Sequence, residues 1–526
     1  MLRHIDCPQR SILLPAFLLA ALGATVSSAQ RCSMEESSRF DADPAIAFRG
    51  DVAVSDGRAA VSTVDGSGLS AIDFYEFDGV QWVFDSQVSS SLHIIGPVAL
   101  DGDYAVAGIP YDSTISFQQG AAVLFSRSGG SWAEVAVLRD PNGKNWDRFG
   151  SAVAMDGGVL AVGSPQGNGA LVDSGTAVTF RFDGAAWNYE ATLSPSNLAA
   201  FDQFGGSLDL DDGVMVVGAV HFGSDLGAAW VYRFDGVGWI GEQQLGSASL
   251  LDFDLFGDGV SVDGDVIAVG ASNFDDPISG YETGGVFIFR HDGASWNEEA
   301  DFLASSPRSA GLFGAELDLF EGVLVVGEPA RAGGTRTGSA YIFQDLGGGL
   351  WHEWSTLVAS DSQNNDWFGA AVALDDGWAW IGAPGDGNAV YTYPITAIVP
   401  GVSACNGAGV NPSSYSSSLN PILGTTWSGT IDATGHPGAG LTFIVGYDMA
   451  SSGLITPYGE LLVGVEVLGG NLIFSSVVAS GGGSAVHSLA IPSDPGLQGF
   501  LVYSQGVILG GAGPELCNAL DLVAGI

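Results

Sequence analysis

A block of about 55 residues recurs along most of this chain. A period of that length confines it to architectures in which each block is one small supersecondary unit that buries its apolar face only against its neighbours. The clearest marks are Phe149-Gly150, Phe204-Gly205, Phe256-Gly257, Phe313-Gly314 and Phe368-Gly369, whose glycines stand 55, 52, 57 and 55 residues apart. Ile95-Gly96 and the variant Phe48-Arg49-Gly50 extend the register upstream, which makes seven units.

Each unit passes through the same events. An alternating segment such as Ser151 to Met155 stops at Asp156-Gly157, and alternation running into Asp-Gly predicts a β-hairpin, because a type I′ turn needs φ > 0 at both central residues. A second strand, Val159 to Val162, ends at Gly163-Ser164-Pro165, matched by Gly108-Ile109-Pro110 and Gly382-Ala383-Pro384. A variable loop, a third strand from Thr176 to Phe182, the turn Asp183-Gly184 and a fourth strand opened by Trp187 complete the unit. Trp132, Trp187, Trp239, Trp296 and Trp351 each lie 17 residues before the next Phe-Gly phenylalanine, and Trp82 extends their register upstream at a shorter spacing. The seventh unit runs out after three strands, at Tyr393-Pro394, while residues 31–47 stand where a fourth strand would precede Phe48. Four antiparallel strands per unit, seven units and a closure made from both ends predict a seven-bladed β-propeller completed by the N-terminal strand. Closure also removes the open sheet edges that invite aggregation. In such a wheel the Phe-Gly and Trp positions are structural: the rings fill the space between blades, and glycine lets backbones approach.

The Phe-Gly pair followed by Gly-Ala-Pro, as at Phe368-Gly369 and Gly382-Ala383-Pro384, resembles the FG-GAP repeat of integrin α-subunit N-terminal propellers and of their secreted bacterial relatives. The resemblance covers about residues 31–396 and implies extracellular binding or adhesion. It also implies calcium at some first hairpins, through loops of the type D-x-D-x-D-G. The corresponding turns here, Met155-Asp156-Gly157 and Val262-Asp263-Gly264-Asp265 among them, lack the alternating carboxylates that six to eight oxygen ligands require. No cofactor is expected, and calcium is left to two weak candidates, Asp252, Asp254 and Asp258 first and Asp140, Asn142 and Asp147 second, both with the reading of plain turn carboxylates beside them.

Arg3, His4 and Arg10, an apolar run from Ile12 to Ala24 and Ser27-Ser28-Ala29 form the three parts of a secretory signal, with cleavage expected after Ala29. The run is too short, and broken by Pro15, for a transmembrane anchor. The expected organisation is a signal peptide over 1–29, the propeller over 30–396, and a β-rich, sandwich-like domain over 397–526 built from apolar runs such as Leu461 to Val467 and Leu472 to Val478. The stretch from Gly499 to Gln505 with Leu516 to Leu520 resembles a C-terminal module of exported bacterial proteins, which carries no activity with it. Beyond residue 29 three cysteines remain; Cys405 with Cys517 is the favoured disulfide and Cys32 with Cys405 the alternative.

Lysine plus arginine number 16 against 59 acidic residues, a net charge of −43, and Lys144 is the sole lysine. That balance argues against nucleic acid and anionic membranes, which need a positive field to displace counterions. No Gly-x-Ser-x-Gly elbow, His-Glu-x-x-His pair or P-loop is present. The expectation is a secreted or cell-surface, monomeric, non-enzymatic propeller that binds an extracellular protein or polysaccharide. A glycan hydrolase or lyase using paired carboxylates is the alternative, and a structural envelope component the second. The loops between second and third strands, Gln166 to Ser174, Asn273 to Thr283 and Arg331 to Thr337, are the expected contact sites, with Trp367, Tyr281 and Tyr111 as aromatic contacts. Arg49-Gly50-Asp51 spells an integrin-recognised tripeptide but occupies the Phe-Gly slot of the first unit, where Gly50 serves the corner.

Overall fold

The computed structural model describes residues 37–41, 51–64, 70–92, 96–275, 282–305, 307–329, 337–375, 377–385 and 389–395, together with the strands between 402 and 523. The chain divides into two compact units, one over residues 34–398 and one that takes in 399–526.

The first unit holds seven four-stranded antiparallel sheets. Their first strands are Val52–Ser55, Val98–Asp101, Ala152–Asp156, Leu208–Asp211, Phe256–Asp263, Leu317–Phe320 and Ala371–Asp375, and each packs against the next around the circle, the last returning to the first. This is the seven-bladed propeller that the repeat implied. The seventh blade has three strands from the end of the unit, Ala371–Asp375, Trp378–Ala383 and Ala389–Pro394, and takes its fourth from Ser38–Asp41, with Arg39 opposite Tyr391. Phe48, Arg49, Gly50 and Ile95, which carried the register upstream, lie outside the described residues.

Burial follows position in the blade. The second strand Val159–Ser164 is buried at all its residues, because neighbouring blades cover both of its faces, and it reads as a continuous run of apolar and small residues. The outer strand Trp187–Leu193 is exposed or half-buried at all but its last residue and correspondingly more polar. Hairpin turns between first and second strands use two left-handed residues, as at Asp56-Gly57, Asp212-Gly213 and Glu321-Gly322, the type I′ geometry whose twist matches the strands.

Phe149, Phe204, Phe256, Phe313 and Phe368 are almost wholly buried. Each pairs in parallel, through a single bridge, with the glycine that opens the third strand of the preceding blade: Gly120, Gly175, Gly227, Gly284 and Gly338. The glycine after each phenylalanine has φ near +90°, and it meets the glycine that closes the second strand of the preceding blade. A Cβ added to Gly163 would lie 2.1 Å from the Gly205 carbonyl oxygen, so two blades touch backbone to backbone there. The outer-strand tryptophans also reach the preceding blade. Trp132 lies parallel to Phe74 at 4.0 Å between ring centres, Trp187 packs edge-on to Tyr104, and Trp351 stacks near Phe302. The indole N–H groups of Trp239 and Trp296 donate to Glu190 and Glu242.

In the second unit, Val402–Cys405, Gly513–Val523, Leu501–Gly510, Leu441–Tyr447 and Leu472–Ala479 form a five-stranded sheet in that order, and Tyr415–Ser417, Thr426–Asp432 and Ser484–Ala490 a three-stranded one. Buried Thr442 of the larger sheet and buried His487 of the smaller are hydrogen-bonded at 2.9 Å, so the two sheets share an interior. Cys405 and Cys517 lie on paired strands, with Cys405 opposite Ala519. Their side chains, like Cys32 and residues 1–29, fall outside the described residues, and no disulfide is present among the residues described. No helix among the described residues is long and apolar enough to cross a membrane.

Candidate binding face

Strand order sends the hairpin turns of every blade to one face of the wheel, and the second-to-third and blade-to-blade connections to the other. Two features could meet a ligand: the axial channel and this second, loop-bearing face.

The channel is a cavity of about 390 Å³ walled by the first strands. Its titratable lining is carboxylic throughout: Asp51, Asp209, Asp258, Glu316 and Asp318. Both oxygens of Asp51 are engaged, by the N–H groups of Val52 at 2.9 Å and of Val98, in the next blade, at 2.8 Å. Asp209 accepts from Leu210, from Val262 of the next blade and from the Ser261 hydroxyl. Asp318 accepts from Leu319 and from Leu374 of the next blade, and lies 3.3 Å from the same Ser261 hydroxyl oxygen. These carboxyls therefore stitch first strands together. Burial raises Asp51 to about 7 against the pull of its two N–H donors. Burial and then the Asp209 charge raise Asp318 to about 8. Burial raises Asp209, and burial followed by the Asp51 and Asp258 charges holds Glu316 well above the usual carboxylate range. The tripeptide that ends at Asp51 thus turns its carboxylate into the channel wall.

A second ring of aspartates lies at the hairpin turns. Asp156 accepts from the Asp212 N–H at 2.9 Å, Asp211 from Gly264 at 2.7 Å and Asp375 from Gly57 at 3.2 Å, in each case one blade onward. These are Asp-Gly corner residues that the sequence marks only as turn formers.

On the loop face the segment leading into each Phe-Gly pair repeats one conformation. Trp146, Phe201, Phe253, Ala310 and Asn365, three positions before the phenylalanine, all have positive φ, as do Arg148, Gln203, Leu255, Leu312 and Trp367 just before it. In four of these five loops a buried aspartate lies between them and folds back on the loop, Gly311 taking its place in the other: Asp147 accepts from the Lys144 N–H at 2.6 Å, Asp202 from Ala199 at 2.5 Å and Asp254 from Leu251 at 2.6 Å, and Asp366 accepts from Gln363. The clasp has an outward consequence in three consecutive blades. Trp146, Phe201 and Phe253 are 49, 60 and 63% exposed. Neighbours extend each patch: Phe117 packs edge-on to Trp146 at 4.6 Å, the Val172 carbonyl accepts the Phe201 N–H, and exposed Leu251 adjoins Phe253.

The residues singled out from sequence fall as follows. Tyr111 is exposed beneath the Arg148 guanidinium, 5.1 Å from its ring centre, and Trp367 is exposed at a left-handed position. The Gln166 to Ser174 loop presents Leu171 and Val172. Tyr281, residues 276–281 of the second loop and residues 331–336 of the third lie outside the described residues. The weak calcium candidates are not gathered: Asp252 is exposed, Asp254 is the loop clasp, and Asp258 accepts from the Ser272 hydroxyl beside the channel. In the second set, Asp140 accepts from the Asn142 N–H and Asp147 is again a clasp. Among the described residues no three His, Cys, Asp or Glu side chains are placed to hold a metal ion. Exposure of Trp146, Phe201 and Phe253 was missed, although the aligned strings Trp146-Asp147, Phe201-Asp202 and Phe253-Asp254 carried the signal.

The fold and this face define a seven-bladed propeller with a loop-borne apolar surface. Residues 132–180, 187–232, 239–289 and 351–393 match the FG-GAP repeat family, so the chain carries FG-GAP repeats in four places. Each match runs from an outer-strand tryptophan to the third strand of the following blade. No curated protein matches the chain. Among solved structures, the periplasmic gluconolactonase of Pseudomonas aeruginosa is 13% identical, covering 60% of this chain and 87% of its own with a TM-score of 0.41. A proposed 6-phosphogluconolactonase of Bacteroides uniformis is 10% identical, covering 59% and 85%, with the same TM-score of 0.41.

Proposed function

We propose that the chain is an exported, non-enzymatic binding protein in which a signal peptide over 1–29 is removed, the propeller offers its loop face to an extracellular protein or polysaccharide, and residues 397–526 form a separate β-rich domain. The observation that carries this reading is the outward set Trp146, Phe201 and Phe253 on consecutive blades, fixed on a backbone that bulky side chains disfavour. Exposed apolar patches on a rigid scaffold are where partners dock. Supporting it, the carboxylates that could pass for catalytic pairs are held by backbone N–H groups, as Asp51, Asp209, Asp318, Asp202 and Asp254 are. The test is a glycan array and an extracellular-protein panel run beside a reducing-sugar release assay, comparing the parent chain with a Trp146→Ser, Phe201→Ser, Phe253→Ser variant. Binding that the triple substitution removes, without sugar release, is the expected result; release of sugar abolished by one channel substitution such as Asp209→Asn would replace this reading with the glycanase one.

A further inference from the structure

The loop face is not uniform in charge. Between residues 165 and 284 its connections contain Asp173, Asp225, Asp252 and Asp275 and no lysine or arginine at all. The arginines of this stretch, Arg181 and Arg233, sit at the far ends of third strands, paired with Glu190 and Glu242. Within the acidic sector lie two of the apolar patches. Exposed Asp252 stands between exposed Leu251 and Phe253, and Asp173 follows Val172, whose carbonyl holds the Phe201 N–H. Asp225, itself left-handed, accepts the Leu255 N–H at its backbone carbonyl, while its carboxylate is taken up by the His221 ring nitrogen at 2.8 Å and leaves Asp173 and Asp252 as the charges beside the rings.

We infer that this sector, across blades three to five, docks a cationic protein segment whose apolar side chains seat on Phe201, Phe253, Leu251 and Val172 while its lysines or arginines meet Asp173 and Asp252. The inference rests on the binding-face reading above and names its partner class. Apolar anchors desolvated at the centre with unneutralised carboxylates at the rim are complementary to a partner carrying the opposite pattern, and rim charge of one sign speeds encounter and excludes acidic competitors. A neutral glycan would use the rings and leave the carboxylates idle.

The test uses the full chain and four immobilised probes: an amphipathic leucine/lysine peptide, its leucine/glutamate and glutamine/lysine counterparts, and a neutral glucan oligosaccharide, read by interferometry at about 0.15 M salt, where distant exposed charges are screened. The leucine/lysine peptide is expected to bind best. Phe201→Ser with Phe253→Ser should weaken it by about tenfold or more, the size of losing one hot-spot contact. Asp252→Asn should weaken it by roughly threefold and flatten its salt dependence. Val237→Ser, on the hairpin face, should change nothing. Leucine/lysine binding indifferent to the phenylalanines, or equal binding of the leucine/glutamate peptide, overturns the proposal. Glucan binding that needs Phe201 and Phe253, with no such dependence for the leucine/lysine peptide, overturns the partner class and keeps the binding face; no phenylalanine dependence for any probe overturns both.

Discussion

Phe201 and Phe253 hold φ of 72° and 77°, where a bulky L-residue pays roughly 1 kcal/mol or more relative to its ordinary conformations and asparagine much less. Their rings are exposed, so little burial is lost on replacement. Phe201→Asn and Phe253→Asn should therefore each stabilise the fold by about 0.5–1 kcal/mol in denaturant titrations. The same variants should bind less well, which separates a functional ring from a structural one. Aspartates divide as sharply. At the turns between third and fourth strands, two backbone N–H groups lower Asp183, Asp235 and Asp292 from their ordinary value. In the channel, burial raises Asp51 to about 7 and Asp318 to about 8. A carboxyl with a raised folded-state value binds its proton more tightly when folded. Its contribution is complete below the ordinary aspartate range and is lost as pH climbs through 7 to 8. The melting temperature should rise on acidification from about pH 9 to about pH 6. Asp318→Asn should flatten that rise, and a melting temperature that falls over the same interval would contradict the assignment.

Between elements, the decisive contacts are glycine on glycine. Gly163→Ala would force a methyl to within 2.1 Å of the Gly205 carbonyl oxygen and push two blades apart, at a cost of more than about 2 kcal/mol. Gly184→Ala, at φ +94° but with nothing within 4 Å of the added methyl, should cost only about 1 kcal/mol, from backbone strain alone. Differential scanning calorimetry of the pair checks the order. These contacts explain what was legible beforehand. Phe149-Gly150 and Gly163-Ser164-Pro165 recur because each blade meets the next through the same few atoms, so the constraint is written at a fixed spacing. The aspartate stitches were illegible for the complementary reason: Asp156 finds its donor at Asp212, 56 residues on, and any carboxylate followed by a tight turn has the same local sequence. The loop clasp fell between the two. Its Asp-x-Phe-Gly string repeats at Asp147, Asp202, Asp254 and Asp366, but reading it as a loop fold requires knowing that the carboxylate turns back onto an N–H three residues earlier.

At the scale of the whole propeller, everything converges on the seam where the last blade borrows its outer strand. The Arg39 guanidinium reaches Asp361, which also accepts the Tyr391 hydroxyl at 2.8 Å, so the lead-in loop of the seventh blade grips the borrowed strand. Deleting residues 38–41, or Arg39→Glu, should lower the melting temperature and raise protease sensitivity first in Ala389–Pro394, the strand that loses its partner, and only then in Trp378–Ala383, observable by limited proteolysis with mass mapping. The borrowed strand also sets an order of events. Residues made first find their hydrogen-bonding partners last, after some 350 others have been synthesised, since Ser38 pairs with Thr392. Until then the wheel is an open arc with two unpaired edges, and its closure is a slow, long-range step of the kind that limits β-rich folding and leaves such edges open to aggregation.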